Sequence, residues 1–228
     1  MGTDIHLFIE RKQNNIWKSF DLPIDCDVCD GHGIATRPDG STYNCVECNW
    51  NDENKYGVGK ASLSNYIGWR NYVIFAILGN VRNGFGFIDS ISNCRGIPKD
   101  ADNDACNDFL SFEHSASWVS LQELIDYDVN KLYTVHGIIS RQQYDGWDKK
   151  SSPESWRGWV SGPEIKTINE DDLNNPESYG WTNIRVHWKK SISESCKRLI
   201  RVRNELQKFC IDTDTDPNDI RLVFDFDS

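Results

Sequence analysis

The sequence predicts an α+β fold: one domain over residues 1–228 with a largely antiparallel sheet, a few helices, and a hairpin module inserted at 24–52. Three observations predict it. Segments near both ends alternate apolar and polar residues, as half-buried strands do. One late segment carries apolar residues at helical spacing. Two C-x-x-C pairs, Cys26/Cys29 and Cys45/Cys48, stand close together near the start. A mixture of this kind suggests α+β packing.

In chain order, "DIHLFIER" (4–11) places Ile5, Leu7 and Ile9 on one side and Asp4, His6, Phe8 and Glu10 on the other. "NIWKSF" follows "KQNN" and reads as its hairpin partner. "NYVIFAILGNVRN" (71–83) is apolar enough for a buried helix that ends at the Gly84 region. "GFGFIDSISNCRGIP" is glycine-rich and loop-like. Ser120 precedes Glu123 by three residues, a capping box that starts a short helix in "SLQELIDYD". "LYTVHGIIS" reads as a strand, and the polar stretch 140–180 holds Trp147, Trp156 and Trp159. In "NIRVHWK", Ile184, Val186 and Trp188 oppose Arg185, His187 and Lys189. "SESCKRLIRVRNELQKF" is an amphipathic helix with Cys196, Leu199, Leu206 and Phe209 inward, and "IRLVFDFD" is a closing strand. On that helix Lys197, Arg201 and Lys208 interleave with Glu194 and Glu205, as on a solvated face. Asp212, Asp214 and Asp216 imitate the start of a calcium loop. Pro217 and Val223 stand where that loop needs Gly and Glu, so the segment reads as a solvated turn.

Between Cys29 and Cys45 lie fifteen residues, a spacing that suits one tetrahedral ion held by four thiolates. Two residues between ligands let both sulfurs of a pair reach the ion from one tight turn. Asp39-Gly40 supplies the turn of a hairpin between the pairs. The expected cofactor is a structural Zn2+, because a closed shell leaves no position for a reacting water. A redox C-x-x-C would need a strand-to-helix context that is absent here. Cys94, Cys106, Cys196 and Cys210 have no paired spacing and read as buried free thiols; Cys94 alone lies beside a basic residue, Arg95, where a nucleophile is the alternative.

The chain has 228 residues, 12% aromatic with nine Trp and one Met, which excludes a disordered composition. Its net charge of −10 disfavours nucleic acid as a partner, since phosphates must be neutralised by Lys and Arg. No segment approaches the length of a membrane span. The start, "MGTDIHLFIERK", carries Asp4 and His6 where a signal peptide is apolar, and His6 where the myristoylation pattern has Ser or Thr. The expected location is a cytoplasm, where paired cysteines are metal ligands rather than disulfides.

Two resemblances follow from these motifs. The run Cys26, Cys29, Gly31, Gly33 resembles one C-x-x-C-x-G-x-G unit of the zinc-binding region of DnaJ-type chaperones. That region carries several such units and this chain has one, so chaperone function does not transfer. "MGTDIHLFIE", "RNYVIFAILGNVRN", "RGIP", "HSASW" with "LQEL", and "DIRLVFDFD" resemble a family of bacteriophage and prophage proteins of unassigned function that open MG-x-DIH. "HSASW" and "DFD" stand where that family more often reads HSHSW and WFD, so this turn lacks a second His. The resemblance implies a host cytoplasm and singles out Asp4, His6, Arg70, Asn71, Arg82, Arg95 and His114.

Asp4 and His6 share one strand face, because side chains two apart point together. Should His114 and the arginines gather over it, the result is a cationic pocket for a phosphate-bearing ligand. His6 and His114 would then be acid–base groups oriented by Asp4, with Arg70, Asn71, Arg82 and Arg95 holding the anion. Asp4, His6 and His114 with Glu113 also offer metal-ligand types, without any H-E-x-x-H pattern. Two readings result. One is a phage protein that binds or hydrolyses a nucleotide or nucleotide-derived signal. The other is a non-catalytic phage protein that binds a host protein through an acidic surface and its zinc knuckle.

Overall fold

The computed structural model describes residues 3–45, 48, 59–67, 70–83, 88–102, 115–158, 166–175 and 182–226. They form an α+β fold with antiparallel sheets and a cysteine cluster. The chain divides into two compact units, Met1–Tyr127 with Cys196–Ser228, and Asp128–Ser195.

In the first unit, strand β1 (Ile5–Gln13) turns through Asn14 and Asn15, both at positive φ, into β2 (Ile16–Phe20). Asparagine tolerates that left-handed backbone, so "KQNN" makes the hairpin the sequence predicts. Two short antiparallel pairs follow: β3 (Pro23–Asp25) with β6 (Lys60–Ser62), and the hairpin of β4 (Ile34–Thr36) with β5 (Thr42–Asn44). Strand β7 (Ser117–Ser120) and the closing β11 (Ile220–Phe226) complete a four-stranded sheet in the order β2-β1-β11-β7. Register pairs Ile5 with Phe226, Leu7 with Phe224 and Ile9 with Leu222, and all six are buried. The predicted alternation of β1 therefore sets the core face.

Helix α1 (Tyr72–Gly79) covers that face. The Asn71 side chain accepts from Val73 N and Ile74 N and starts the helix. Phe75 meets Phe226 with ring centroids 5.1 Å apart. A Cβ at Gly79 would lie 2.9 Å from the Phe226 ring, so glycine permits this approach. The helix stops at Asn80 in the left-handed conformation, short of the predicted end at Gly84. Asparagine serves there as the C-terminal cap that glycine usually provides. Helix α2 (Leu121–Asp126) has the predicted capping box between Ser120 and Glu123. In the second unit, β8 (Leu132–Ser140) leads into helix α3 (Arg141–Gly146), whose cap is Ser140. Strand β9 (Thr167–Asn169) lies parallel to β10 (Asn183–Ser191), and β10 pairs antiparallel with β8. Ile139, Tyr144, Ile168, Ile184, Val186 and Trp188 form this unit's core, which fits the alternation of "NIRVHWK". Helix α4 (Ile192–Ser195) follows β10.

Helix α5 (Lys197–Thr213) returns the chain to the first unit and buries Leu199, Val202, Leu206 and Cys210. Phe209, predicted inward, stacks at the rim on Phe20, 4.7 Å between centroids. The aspartate-rich turn is local structure. Asp214 caps α5, and Asp216 accepts from Asn218 N to start a single helical turn at Pro217–Asp219.

Candidate metal centre and the polar face of the first strand

The inserted module folds as the cysteine spacing requires. Cys26 follows β3, Cys29 lies one turn on, and Cys45 follows β5. Cys26, Cys29, Cys45 and Cys48 are all buried, with their sulfurs mutually within 4.8 Å. Cys26 Sγ is 3.7 Å from Cys45 Sγ, and Cys29 Sγ is 3.7 Å from Cys48 Sγ. A tetrahedron with metal–sulfur bonds of about 2.3 Å has edges of about 3.8 Å, which these two separations match. A disulfide needs about 2.05 Å, and the four are free thiols. The donor set therefore fits one thiophilic ion, and among the described residues the metal-ligating group gathered here is these four cysteines.

The glycines of the module have a physical task. Gly31 and Gly33 take positive φ, 79° and 74°, and the Gly33 N–H points at Cys29 Sγ from 3.2 Å. Gly59 also has positive φ, and a Cβ there would sit 2.0 Å from Gly31 O. Its carbonyl accepts from Cys26 N at 3.0 Å. Two backbones thus cross beneath the knuckle at a distance only glycine allows. Burial pushes the Cys26 thiol up to about 12 and raises Cys48. Burial also acts on Cys29, but the Gly33 N–H and the neighbouring Cys48, Cys26 and Cys45 outweigh it and lower that thiol. Ion binding must strip protons from such thiols, which makes affinity fall at low pH.

Arg201 of α5 ties this module to the rest of its unit. It forms an ion pair with Asp27 between the first two cysteines, donates to Asp25 O at 2.7 Å, and donates to Tyr66 OH at 3.2 Å. The interleaved charges of α5 predict a solvated face for Arg201, and the structure turns it onto these contacts instead. Around the knuckle, Val28 and Ile34 are 43% and 54% exposed, large apolar side chains facing outward.

The singled-out polar residues that the structure describes are each held by partners of their own. Asp4 accepts both Arg70 Nε at 2.6 Å and Arg70 Nη2 at 3.0 Å. That guanidinium holds the Asp4 carboxyl below its usual range. Arg82 Nε donates to Thr3 Oγ1 at 2.8 Å. Arg95 makes a two-pronged pair with Glu123, at 2.6 and 2.9 Å, over the Trp118 ring. Asn71 is the cap of α1. His6 is exposed, and its register partner across the sheet is Asp225, which is buried. His114, Glu113, Cys106 and Trp159 lie outside the described residues. Cys94 is exposed at positive φ, with its thiol 3.3 Å from Gly79 O.

The same sheet face carries ionised groups that the sequence reading missed. Glu10 and Arg221 are 0% and 3% exposed and are bonded at 2.6 Å between Nε and Oε2. Arg221 Nη1 reaches Asp100 at 2.9 Å, and Glu10 Oε1 accepts from Asp102 N at 2.6 Å. Trp17 covers the guanidinium at 4.0 Å. The signal lay in "IRLVFDF", where Arg221 and Asp225 fall on the same parity of an otherwise apolar strand.

Among the described residues no helix is long and apolar enough to cross a membrane. No family model, curated protein or solved structure matches the chain.

Proposed function

We propose that Cys26, Cys29, Cys45 and Cys48 hold one structural Zn2+, and that the chain works by recognising a protein partner rather than by catalysis. The observation that supports this reading is the cluster of four buried sulfurs, which would fill the four positions around a tetrahedral ion and leave none for a water or substrate. The polar groups near β1 favour the same reading. Arg70, Arg82 and Arg95 hold Asp4, Thr3 and Glu123, so these internal bonds compete with any anion they would clamp.

The knuckle supplies the recognition surface. Val28 and Ile34 stand exposed in a module that also exposes Asp30 and Asp39, so a partner that combines an apolar contact with basic groups fits it. The resemblance to bacteriophage and prophage proteins makes that partner a host protein met in the cytoplasm of an infected cell.

The test is affinity purification from host lysate with the native chain and with Val28→Glu/Ile34→Glu. Both side chains are exposed, so the variant keeps its zinc and its melting temperature. The reading expects one stoichiometric partner, retained by the native chain and lost by the variant. A partner retained equally by both, or no partner at all, contradicts it.

A further inference from the structure

The three-stranded sheet of the second unit has one covered face and one open face. Ile184, Val186 and Trp188 of β10 and Ile139 of β8 point into the core. The alternate residues, Arg185, His187 and Lys189 of β10 and Thr134, His136 and Ile138 of β8, therefore share the other face. Register sets them in rows: Ile138 faces Arg185, His136 faces His187, and Thr134 faces Lys189. At the outer edge of β8, Arg157 forms an antiparallel bridge with Ile138 and so joins the first row. Arg157, Arg185, His136, His187 and Lys189 are all exposed.

The rows are tight. Ile138 exchanges both of its backbone hydrogen bonds with Arg157, at 2.8 and 3.0 Å. Its pairing with Arg185 is then the non-hydrogen-bonded kind, and so are the pairings two residues on, His136 with His187 and Thr134 with Lys189. Such pairs bring opposite side chains closest together. The imidazole centroids of His136 and His187 are 6.1 Å apart, and Lys189 Nζ donates to Thr134 Oγ1 at 2.7 Å. Burial, and after it the neighbouring His187 and Arg185, hold the His136 imidazole below its ordinary value.

The charge on this face is of one sign. The chain holds 35 Asp and Glu, yet "LYTVHGIIS" and "NIRVHWKKS" contain none. Residues 128–195 carry nine Lys and Arg against ten Asp and Glu, a net of −1, so the remaining residues hold −9 of the chain's −10. Among the described residues, the Arg157 and Arg185 guanidinium groups make no ion pair, whereas Arg70, Arg95, Arg201 and Arg221 in the first unit are each bound to a carboxylate. Glu170 approaches the middle row, with Oε2 3.9 Å from His187 Nδ1, and also accepts from Tyr144 OH at 2.9 Å. Like charges brought close across a sheet are unfavourable. A solvated face avoids that cost by mixing signs. This face gathers positive and protonatable groups instead, and a bound polyanion removes the cost.

The groups point to one kind of polyanion. Successive rows along a strand lie about 6.8 Å apart, so three rows match a short stretch of an extended chain. Arginine and lysine meet phosphates there. The two imidazole rings between them are flat surfaces on which bases stack. An acidic peptide would use the cations and leave the rings idle.

We propose that the open face of β8 and β10 binds single-stranded nucleic acid, with Arg157, Arg185 and Lys189 on the phosphates and His136 and His187 against the bases. The net charge of the whole chain disfavours such a ligand, but the ligand meets the local field of this face. The metal centre belongs to the other unit, so this site stands whether or not a protein partner exists.

Fluorescence anisotropy of a labelled oligothymidylate of about ten residues, titrated with the full chain at about pH 8 and about 50 mM salt, tests it. The dissociation constant is expected between about 1 and 100 µM, with a log–log salt slope of about −2, since three cations contribute about −0.7 each on a single strand. Arg185→Glu/Lys189→Glu weakens binding by at least about tenfold. Lys197→Glu/Lys208→Glu on α5 makes the same change in net charge and weakens it by less than about threefold. His187→Ala weakens binding by about fivefold, and His187→Phe restores it. Every changed side chain is exposed, and melting curves verify that the variants stay folded. Absence of binding at about 300 µM chain overturns the proposal. So does an equal loss in the two charge-reversed pairs, a His187→Phe variant as weak as His187→Ala, or displacement of the oligonucleotide by polyglutamate at equal charge concentration.

Discussion

Replacing Arg221 with Met leaves the Glu10 carboxylate buried without its cation, and the structure sets the scale of the loss. Glu10 is fully buried and Arg221 nearly so, joined at 2.6 Å, with Trp17 stacked over the guanidinium. Removing one partner of such a buried pair costs about 3–5 kcal/mol, most of it the penalty of an uncompensated buried charge. The backbone N–H of Asp102 still bonds Glu10 at 2.6 Å, which holds the expected cost toward the lower end. Asp100 is mostly exposed and returns to water at little cost. At about 2–4 °C per kcal/mol for a protein of this size, the melting temperature falls by roughly 10 °C. The assay is thermal and urea denaturation of the native chain, Glu10→Met, Arg221→Met and the double variant. Replacing both partners with apolar groups of similar length is close to neutral in other buried pairs. The double variant therefore recovers most of the loss, giving a coupling energy of at least about 2 kcal/mol. An Arg221→Met cost below about 1 kcal/mol, or a double variant whose loss equals the sum of the singles, refutes the reasoning.

Three further outcomes are expected. Gly59→Ala forces a Cβ onto Gly31 O and strains a positive φ, so purified protein loses its bound metal, as metal analysis would show, and full metal retention contradicts the crossing of backbones beneath the knuckle. Arg201→Ala frees the Asp27 loop from α5, and amide exchange should quicken at residues 26–33 while the β1–β11 pairing stays protected. Burial acts on the Glu123 carboxyl, but Arg95 and the Ser120 N–H outweigh it and hold it below the ordinary 4.5. A lowered folded-state value stabilises above the unfolded one and is lost as pH falls. The stability advantage of the native chain over Arg95→Ala is thus present near neutral pH and shrinks below pH 4.5, and an advantage that grows on acidification reverses the sign.

How legible the molecule was in its sequence depended on how local the cause was. Ile5, Leu7 and Ile9 declared a strand face by alternation, and their partners Phe226, Phe224 and Leu222 are indeed buried against them. The Ser120–Glu123 box was readable because capping acts over three residues. The four cysteines were readable because ligand spacing is a local constraint on turns. Helix α1 ends early because Asn80 takes the left-handed cap, a conformation open to asparagine as well as to glycine. The pairings of Arg70 with Asp4 and Arg221 with Glu10 join residues far apart in sequence, and no local pattern encodes them. Arg157 joins the open face of β8 and β10 through a bridge to Ile138 that the turn-rich stretch did not announce.

The central claim is a closed metal cage, and metal analysis of the purified chain, paired with the absorption spectrum after cobalt exchange, tests it most directly. The expected result is one equivalent of zinc per chain, replaced by cobalt with the visible bands of a tetrahedral four-thiolate site, and loss of both on Cys45→Ser. A folded chain without stoichiometric zinc, or one that carries iron in its place, contradicts it.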